Sequence, residues 1–146
     1  MAKFELQLPK EIIQDVQKIY DNSEKIFGEM TKAGAELVLS NVKANMPPSL
    51  KNSDFANHVF LSKQYFTPSD DGINTKVMIS GYFINHNGIK TPAPLVANIF
   101  EYGRSPDSRG GEFQKRPFFR KSFKKTQIEA AMYAAQKKTS GGLLNE

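Results

Sequence analysis

The sequence predicts an α+β fold: an antiparallel sheet of about three to four strands packed against a long central helix, with a short N-terminal helix and a C-terminal helix. Three observations predict it. Helical spacing of apolar residues fills the first third of the chain and stops at Pro47 and Pro48. Alternating segments punctuated by turn residues occupy residues 55 to 91, and a proline-led, phenylalanine-rich basic segment restores helical spacing from Pro117. The 146 residues form a single domain, 1–146, long enough to bury roughly two-thirds of the surface its unfolded chain exposes.

The helical region covers residues 1–46. Pro9 opens a first helix whose apolar residues Ile12, Ile13, Val16, Ile19 and Tyr20 share a face. Asp21 to Glu24 reads as a stop and restart, since Asp21 can cap a following helix and Glu24, three residues on, can reach back as in a capping box. The second helix then runs from about Asn22 to Asn45. Lys25, Glu29, Lys32, Glu36 and Lys43 form one solvated stripe of alternating sign, while Ile26, Met30, Ala33, Leu37 and Ala44 make one apolar face. Ala35, Leu39, Val42 and Met46 make a second apolar face nearly opposite. Two such faces mean either that the helix is central to the fold or that the second face meets another copy of the chain; the second face is accordingly a candidate subunit interface.

The strand region covers residues 55–91. Asn57 to Phe66 and Ile73 to Phe83 form an antiparallel hairpin, turned by Ser69 to Gly72 with Asp70 and Asp71 at its tip. Asn85 to Gly88 is a further turn, followed by a short strand or loop at Ile89 to Thr91. Residues 94–116 hold a short helix, opened by Pro94 and ended by Gly103, and then a polar loop with Gly110 and Gly111 that is expected to be mobile in an isolated subunit. The last helix, 117–140, begins at Pro117. Phe119, Phe123, Ala130, Tyr133 and Ala134 are expected to face inward, leaving Ile128, Met132 and Ala135 as an apolar island in a basic outer face, a second candidate interface.

Composition removes several functions. The absence of cysteine excludes disulfides, thiolate metal sites and cysteine nucleophiles, and the N-terminal residues lack the apolar run of a signal peptide. No segment reaches the eighteen or so apolar residues of a membrane helix, so no membrane partner is expected and the chain reads as soluble and made in the cytoplasm. Residues 109 to 138 hold nine Lys/Arg against Glu112 and Glu129, whereas residues 1 to 108 hold eleven basic and twelve acidic residues. The excess positive charge is therefore a C-terminal feature, gathered at Arg116, Arg120, Lys121, Lys124 and Lys125.

No catalytic residue, metal ligand set or cofactor is predicted. His58 and His86 stand in a strand and an Asn-rich turn without metal-ligand spacing, and a hydrolytic or toxin-like enzyme using either is the weakest reading. Asp70 and Asp71 read as a hairpin tip, and Gly110 and Gly111 lack the context of a phosphate loop. The basic segment with its interleaved phenylalanines has three readings: a solvated helix face, a contact for an acidic protein surface, or the lining of a passage for DNA.

Glu101, Tyr102 and Gly103, followed after a loop by Pro117, Phe118 and Phe119 and a helix, give the chain its resemblance to a family of tailed-phage morphogenesis proteins. These are the small head–tail connector or tail-completion (minor tail) components of long-tailed phages. The order of an amphipathic helical region, a long helix ended at Pro47 and Pro48, strands, a Glu-aromatic-Gly motif and a Pro-Phe-led helix is similar across nearly the whole chain. It departs where the family often has Thr-Gly-x-Leu after the proline, because Pro48 to Ser53 stands there instead. The resemblance implies a homo-oligomeric ring, of six subunits, at the head–tail junction or tail top of a virion, and partners among neck and tail proteins: connector or adaptor, stopper, tail tube or terminator. It also implies non-specific contact with DNA passing through the lumen. The alternative is a basic nucleic-acid-binding module acting outside any ring.

Overall fold

The computed structural model describes residues 9–69, 72–107 and 110–144. Its elements run α1 (Lys10–Asn45), α2 (Pro48–Lys51), a 3-10 turn (Asp54–His58), β1 (Val59–Leu61), β2 (Tyr65–Thr67), β3 (Gly72–Asn74), β4 (Val77–Ile79), β5 (Tyr82–Ile84), β6 (Lys90–Pro92), α3 (Ala93–Tyr102), a second 3-10 turn (Arg120–Ser122) and α4 (Lys125–Leu144). The α+β class is as predicted. The expected break at Asp21 to Glu24 is absent: α1 is one helix of 36 residues. The polar side chains that could have capped a new helix bond backwards instead. Asn22 Nδ2 donates to the Lys18 carbonyl at 2.7 Å and Ser23 Oγ to that of Tyr20 at 2.7 Å, while Gln17 Nε2 donates to Asp21 Oδ1 at 2.8 Å. With no glycine or proline in this stretch, these i−3 and i−4 bonds leave the helical ladder intact.

Instead of one sheet of three to four strands, the described residues form three two-stranded antiparallel sheets, β1–β4, β2–β3 and β5–β6. The first two are parts of a single long hairpin. Val59 faces Ile79 and Leu61 faces Val77, but beyond Ser62 the pairing becomes Tyr65 with Asn74 and Thr67 with Gly72, a shift of one residue. Lys63 and Gln64 thus oppose Thr75 alone, which is a β-bulge, and the ladder continues up to it through Ser62 N–H to the Lys76 carbonyl at 2.8 Å. The predicted tip residues Asp70 and Asp71 lie outside the described residues. The turn at Asn85 to Gly88 forms as expected: Asn85 Oδ1 accepts from the Asn87 and Ile89 amides, and β6 follows at Lys90–Pro92.

The core gathers Val38, Val42 and Met46 of α1, Leu50, Phe55, Val59, Phe83, Ala93 and Phe118. Phe55 is central, edge-on to Phe83 (5.6 Å between ring centroids) and to Phe118 (6.2 Å). The second half of α1 is therefore central to the fold, with its stripe Lys25, Glu29, Lys32, Glu36 and Lys43 exposed as predicted. No helix among the described residues is long and apolar enough to cross a membrane.

Two expected interfaces are occupied within the chain. Ala35, Val42 and Met46 are buried and Leu39 packs against the core, because the hairpin, α3 and Phe118 all settle on that side of α1. On α4, the predicted faces are inverted. Ile128, Met132 and Ala135 are half-buried toward α1, whereas Ala130, Tyr133 and Ala134 are exposed. Gly34 is the reason: a Cβ there would stand 3.2 Å from Met132 Cγ and 3.3 Å from Ile128 Cγ2, so its bare backbone admits exactly these side chains. The phase error follows from where the helix starts. Periodicity counted from Pro117 assumes a continuous helix through Phe119 and Phe123, and α4 begins only at Lys125.

Candidate assembly surface

The segment from Tyr102 to Phe123 brings together the Glu-Tyr-Gly and Pro-Phe-Phe motifs. α3 opens with Pro94 in its first turn and ends where Gly103 takes φ 79° and ψ −179°, its N–H donating to the Ile99 carbonyl at 2.8 Å. That backbone conformation is essentially restricted to glycine. A Cβ at Gly103 would also lie 2.9 Å from the Phe113 carbonyl oxygen. The loop that follows, expected to be mobile, is drawn into a narrow hairpin-like excursion. Arg104 and Phe113 exchange both backbone hydrogen bonds at 2.9 Å, Asp107 and Gly110 are bridged beyond them, and the Phe113 ring packs 4.9 Å from that of Phe100.

Glu101 holds the returning chain. Its Oε2 accepts from the Phe118 and Phe119 amides and its Oε1 from the Arg120 amide, all at 3.0 Å. The side chain is buried, which by itself raises the carboxyl pKa; the three backbone N–H groups and the nearby Arg120 charge outweigh burial and hold it below the ordinary range. No α-helix starts at Pro117; the chain makes only the 3-10 turn Arg120–Ser122 before α4. The first amides after the proline are spent on a carboxylate from another element, Phe118 is buried in the core, and Ser122 Oγ bonds back to the Phe118 carbonyl. Asn45 Nδ2 to Ser122 Oγ (3.1 Å) and Asn41 Nδ2 to the Ser122 carbonyl (3.2 Å) fasten the same segment to α1. Phe118, not Phe119 or Phe123, is the inward phenylalanine; Phe119 is half-buried and Phe123 exposed.

Outside the clamp lies an open surface. Arg116, Arg120, Lys121, Lys124 and Lys125 are all exposed, and the Arg120 guanidinium stands 5.2 Å from the Tyr102 ring centroid. Between α3 and this segment runs a groove of about 370 Å³, mostly apolar (Ile79, Pro94, Ala97, Tyr102, Phe119 and Phe123) with Asn98, Glu101 and Arg120 also in its walls. It combines exposed aromatic surface, Tyr102 and Phe123, with the Arg120 guanidinium.

Sequence reasoning missed the second exposed feature as a site. Every residue from Lys10 to Asp21 is exposed, so the first part of α1 extends past the packed body and carries Ile12, Ile13, Val16, Ile19 and Tyr20 in solvent, with Phe27 on the same stripe. The signal was present as one apolar face with the spacing i, i+4, i+7, i+8, to which no partner was assigned.

The histidines lie apart from this surface. His58 Nδ1 lies 3.0 Å from the Ser80 carbonyl oxygen and its Nε2 3.5 Å from Asp54, tying the first 3-10 turn to the link between β4 and β5; His86 is exposed in its turn. The Asp54 carboxyl is held below its ordinary range by the Asn57 amide and by His58. Among the described residues no group of three or more His, Asp or Glu side chains gathers as a metal site. No protein-family profile, curated protein or solved structure matches the chain.

Proposed function

We propose that the chain is a structural virion protein of a tailed bacteriophage, which forms a ring at the head–tail interface or tail top and completes or joins the tail without performing chemistry. The observation that carries the proposal is the unpartnered apolar stripe on the extended half of α1, set on the same molecule as a separate, mostly apolar groove with Arg120 in its wall. Five large apolar side chains in water on a single helix face are a contact surface awaiting cover. Two different patches on one subunit are the requirement for heterologous contacts, and such contacts make a ring when their rotation closes. The identity of the assembly rests on the motif order around Glu101 to Gly103 and Pro117 to Phe119. The clamp gives that pairing a physical purpose, since it fixes the loop and the basic segment relative to α3.

In a ring, the exposed Arg116, Arg120, Lys121, Lys124 and Lys125 either meet DNA phosphates in the lumen without reading sequence or dock on acidic neck and tail proteins. The test is a phage carrying a stop codon in this reading frame. The expected result is filled heads and tails that fail to join, restored by the wild-type chain, with the chain found in purified virions at a ring-like copy number. Normal joined particles lacking the chain would overturn the proposal. The same exposed basic segment favours the second reading, a nucleic-acid-binding module; tight DNA binding by a monomer, falling steeply with salt, together with absence from virions, would establish it instead.

A further inference from the structure

We infer that the extended half of α1 seats in the groove between α3 and residues 117–123 of a second copy of this chain, so that subunits join head to tail. The inference deepens the ring reading and rests on it only for closure of the chain of contacts; the pairing of the two surfaces stands on the observations below.

The first observation is the sorting of charge around the stripe. At about 100° per residue, Ile12, Val16 and Ile19 lie in line, with Ile13 and Tyr20 beside them. Asp15 borders the stripe on one side, next to Ile19, and Glu24 borders it on the other, next to Ile13. Lys10 and Lys18 fall on the far side of the helix. The face presented to a partner is thus apolar with carboxylates along both edges. The groove offers a complementary pattern: an apolar floor with Arg120 in its wall, beside Asn98 and a Glu101 carboxylate already engaged by three backbone amides, and the exposed Lys121 and Lys124 lie within two residues of Phe123 in the chain. Carboxylate edges meeting guanidinium and ammonium groups fix the register of an apolar contact and steer its encounter.

The second observation is the geometry of the two parts. The exposed half of α1 and the groove belong to different sides of the fold: α1 leaves the body beyond Ile26, while the groove lies at the far end of the same helix, beside Asn41, Asn45 and Ser122. A helix of 36 residues is about 54 Å long, so the stripe of one molecule cannot reach its own groove. Pairing of stripe with stripe would be isologous and would bring together two faces edged by carboxylates, with Lys10 and Lys18 turned away on both, whereas head-to-tail pairing sets Asp15 and Glu24 against cations.

The chain contains no cysteine, which makes cross-linking decisive. A chain bearing both Val16→Cys and Ala97→Cys is expected to give a ladder of disulfide-linked oligomers on a non-reducing gel, at high protein concentration or in assembled particles. A mixture of the two single variants should stop at dimers, and each single variant alone should stay monomeric, as should Tyr133→Cys. Dimers from Val16→Cys alone would show stripe-to-stripe pairing and overturn the inference, and so would the absence of any Val16–Ala97 link. Charge exchange supplies the independent check. Lys121→Glu with Lys124→Glu should reduce ladder formation by about tenfold or more. Adding Asp15→Lys and Glu24→Lys to that chain should restore it, and failure of the restored chain would sink the pairing. If α1 were instead covered within its own chain, Val16→Asp would lower the melting temperature of the monomer; an unchanged melting temperature is expected. A ladder from protein that never enters virions would leave this pairing standing and refute the virion role, so the two failures are distinguishable.

Discussion

Replacing Glu101 tests the clamp most directly. The buried carboxylate accepts three backbone hydrogen bonds at 3.0 Å from consecutive amides. Each bond to a charged acceptor contributes about 1.5–3 kcal/mol, but the three share one desolvated group, so the total falls short of their sum. Glu101→Ala leaves three N–H groups unpaired and is expected to destabilise the chain by about 3 kcal/mol, a fall in melting temperature of roughly 10 °C for a domain of this size. Glu101→Gln keeps an oxygen for the Phe118 and Phe119 amides but turns an NH2 toward the Arg120 amide, and should cost about half as much. Urea or thermal unfolding measures both, and amide exchange at residues 118–120 should accelerate in both. The sign with pH follows from a folded-state pKa lowered from the ordinary 4.5. The clamp's contribution is complete above that value and is lost as pH falls through the lower folded-state value, so wild type and Glu101→Gln should converge on acidification. Wild-type stability for Glu101→Gln at pH 7, with unchanged exchange at these three amides, would refute the reasoning.

Three further outcomes are expected. Gly103→Ala should destabilise by about 1–3 kcal/mol in chemical unfolding, because φ 79° with ψ −179° is a glycine conformation and the added Cβ meets the Phe113 carbonyl; a neutral result would mean the chain relaxes there. Phe118→Ala should cost about 3–5 kcal/mol through the cavity left beside Phe55, well above the effect of Phe123→Ala, whose side chain is exposed. Ile128→Asp with Met132→Asp should detach α4 from α1, read as new proteolytic cleavage between residues 117 and 125 and lost helical signal, rather than yield a folded chain defective only in assembly.

Most of the architecture was legible where the signal is local. The end of α1 before Pro47 and Pro48, the turn at Asn85 to Gly88, and α3 between Pro94 and Gly103 are all dictated by residues within a few positions of the feature. What was not legible depends on partners distant in sequence. Asp21, Asn22 and Ser23 have the same composition whether they cap a helix or bond back into it, and only the uninterrupted surroundings decide. Pro117 followed by Phe118 and Phe119 has the form of a helix start, yet Glu101 ties these amides to α3 and Phe118 turns into the core, and only a 3-10 turn forms before α4. The phase of α4 depended on that start, and with it the assignment of Ile128, Met132 and Ala135. The bulge at Lys63 and Gln64 splits what periodicity reads as one hairpin into two registers. Of the candidate surface, Arg116, Arg120, Lys121, Lys124 and Lys125 are exposed, and the apolar stripe at Ile12 to Tyr20 was visible as a face but carried no sign in its spacing of whether anything in the chain covers it.

The continuity of α1 also makes the subunit a lever. One hydrogen-bonded rod runs from the exposed stripe at Ile12 to Asn45, beside the core residues Val42 and Met46, without glycine-pair or proline interruption. Helices of this kind bend only over long radii unless such a break supplies a joint. A tilt imposed on the exposed end is therefore transmitted to Val38 and Val42 and to the hairpin, α4 and Phe118 resting on them, instead of being absorbed at a hinge. Any load carried between neighbouring molecules through this helix is borne by the hydrophobic core itself.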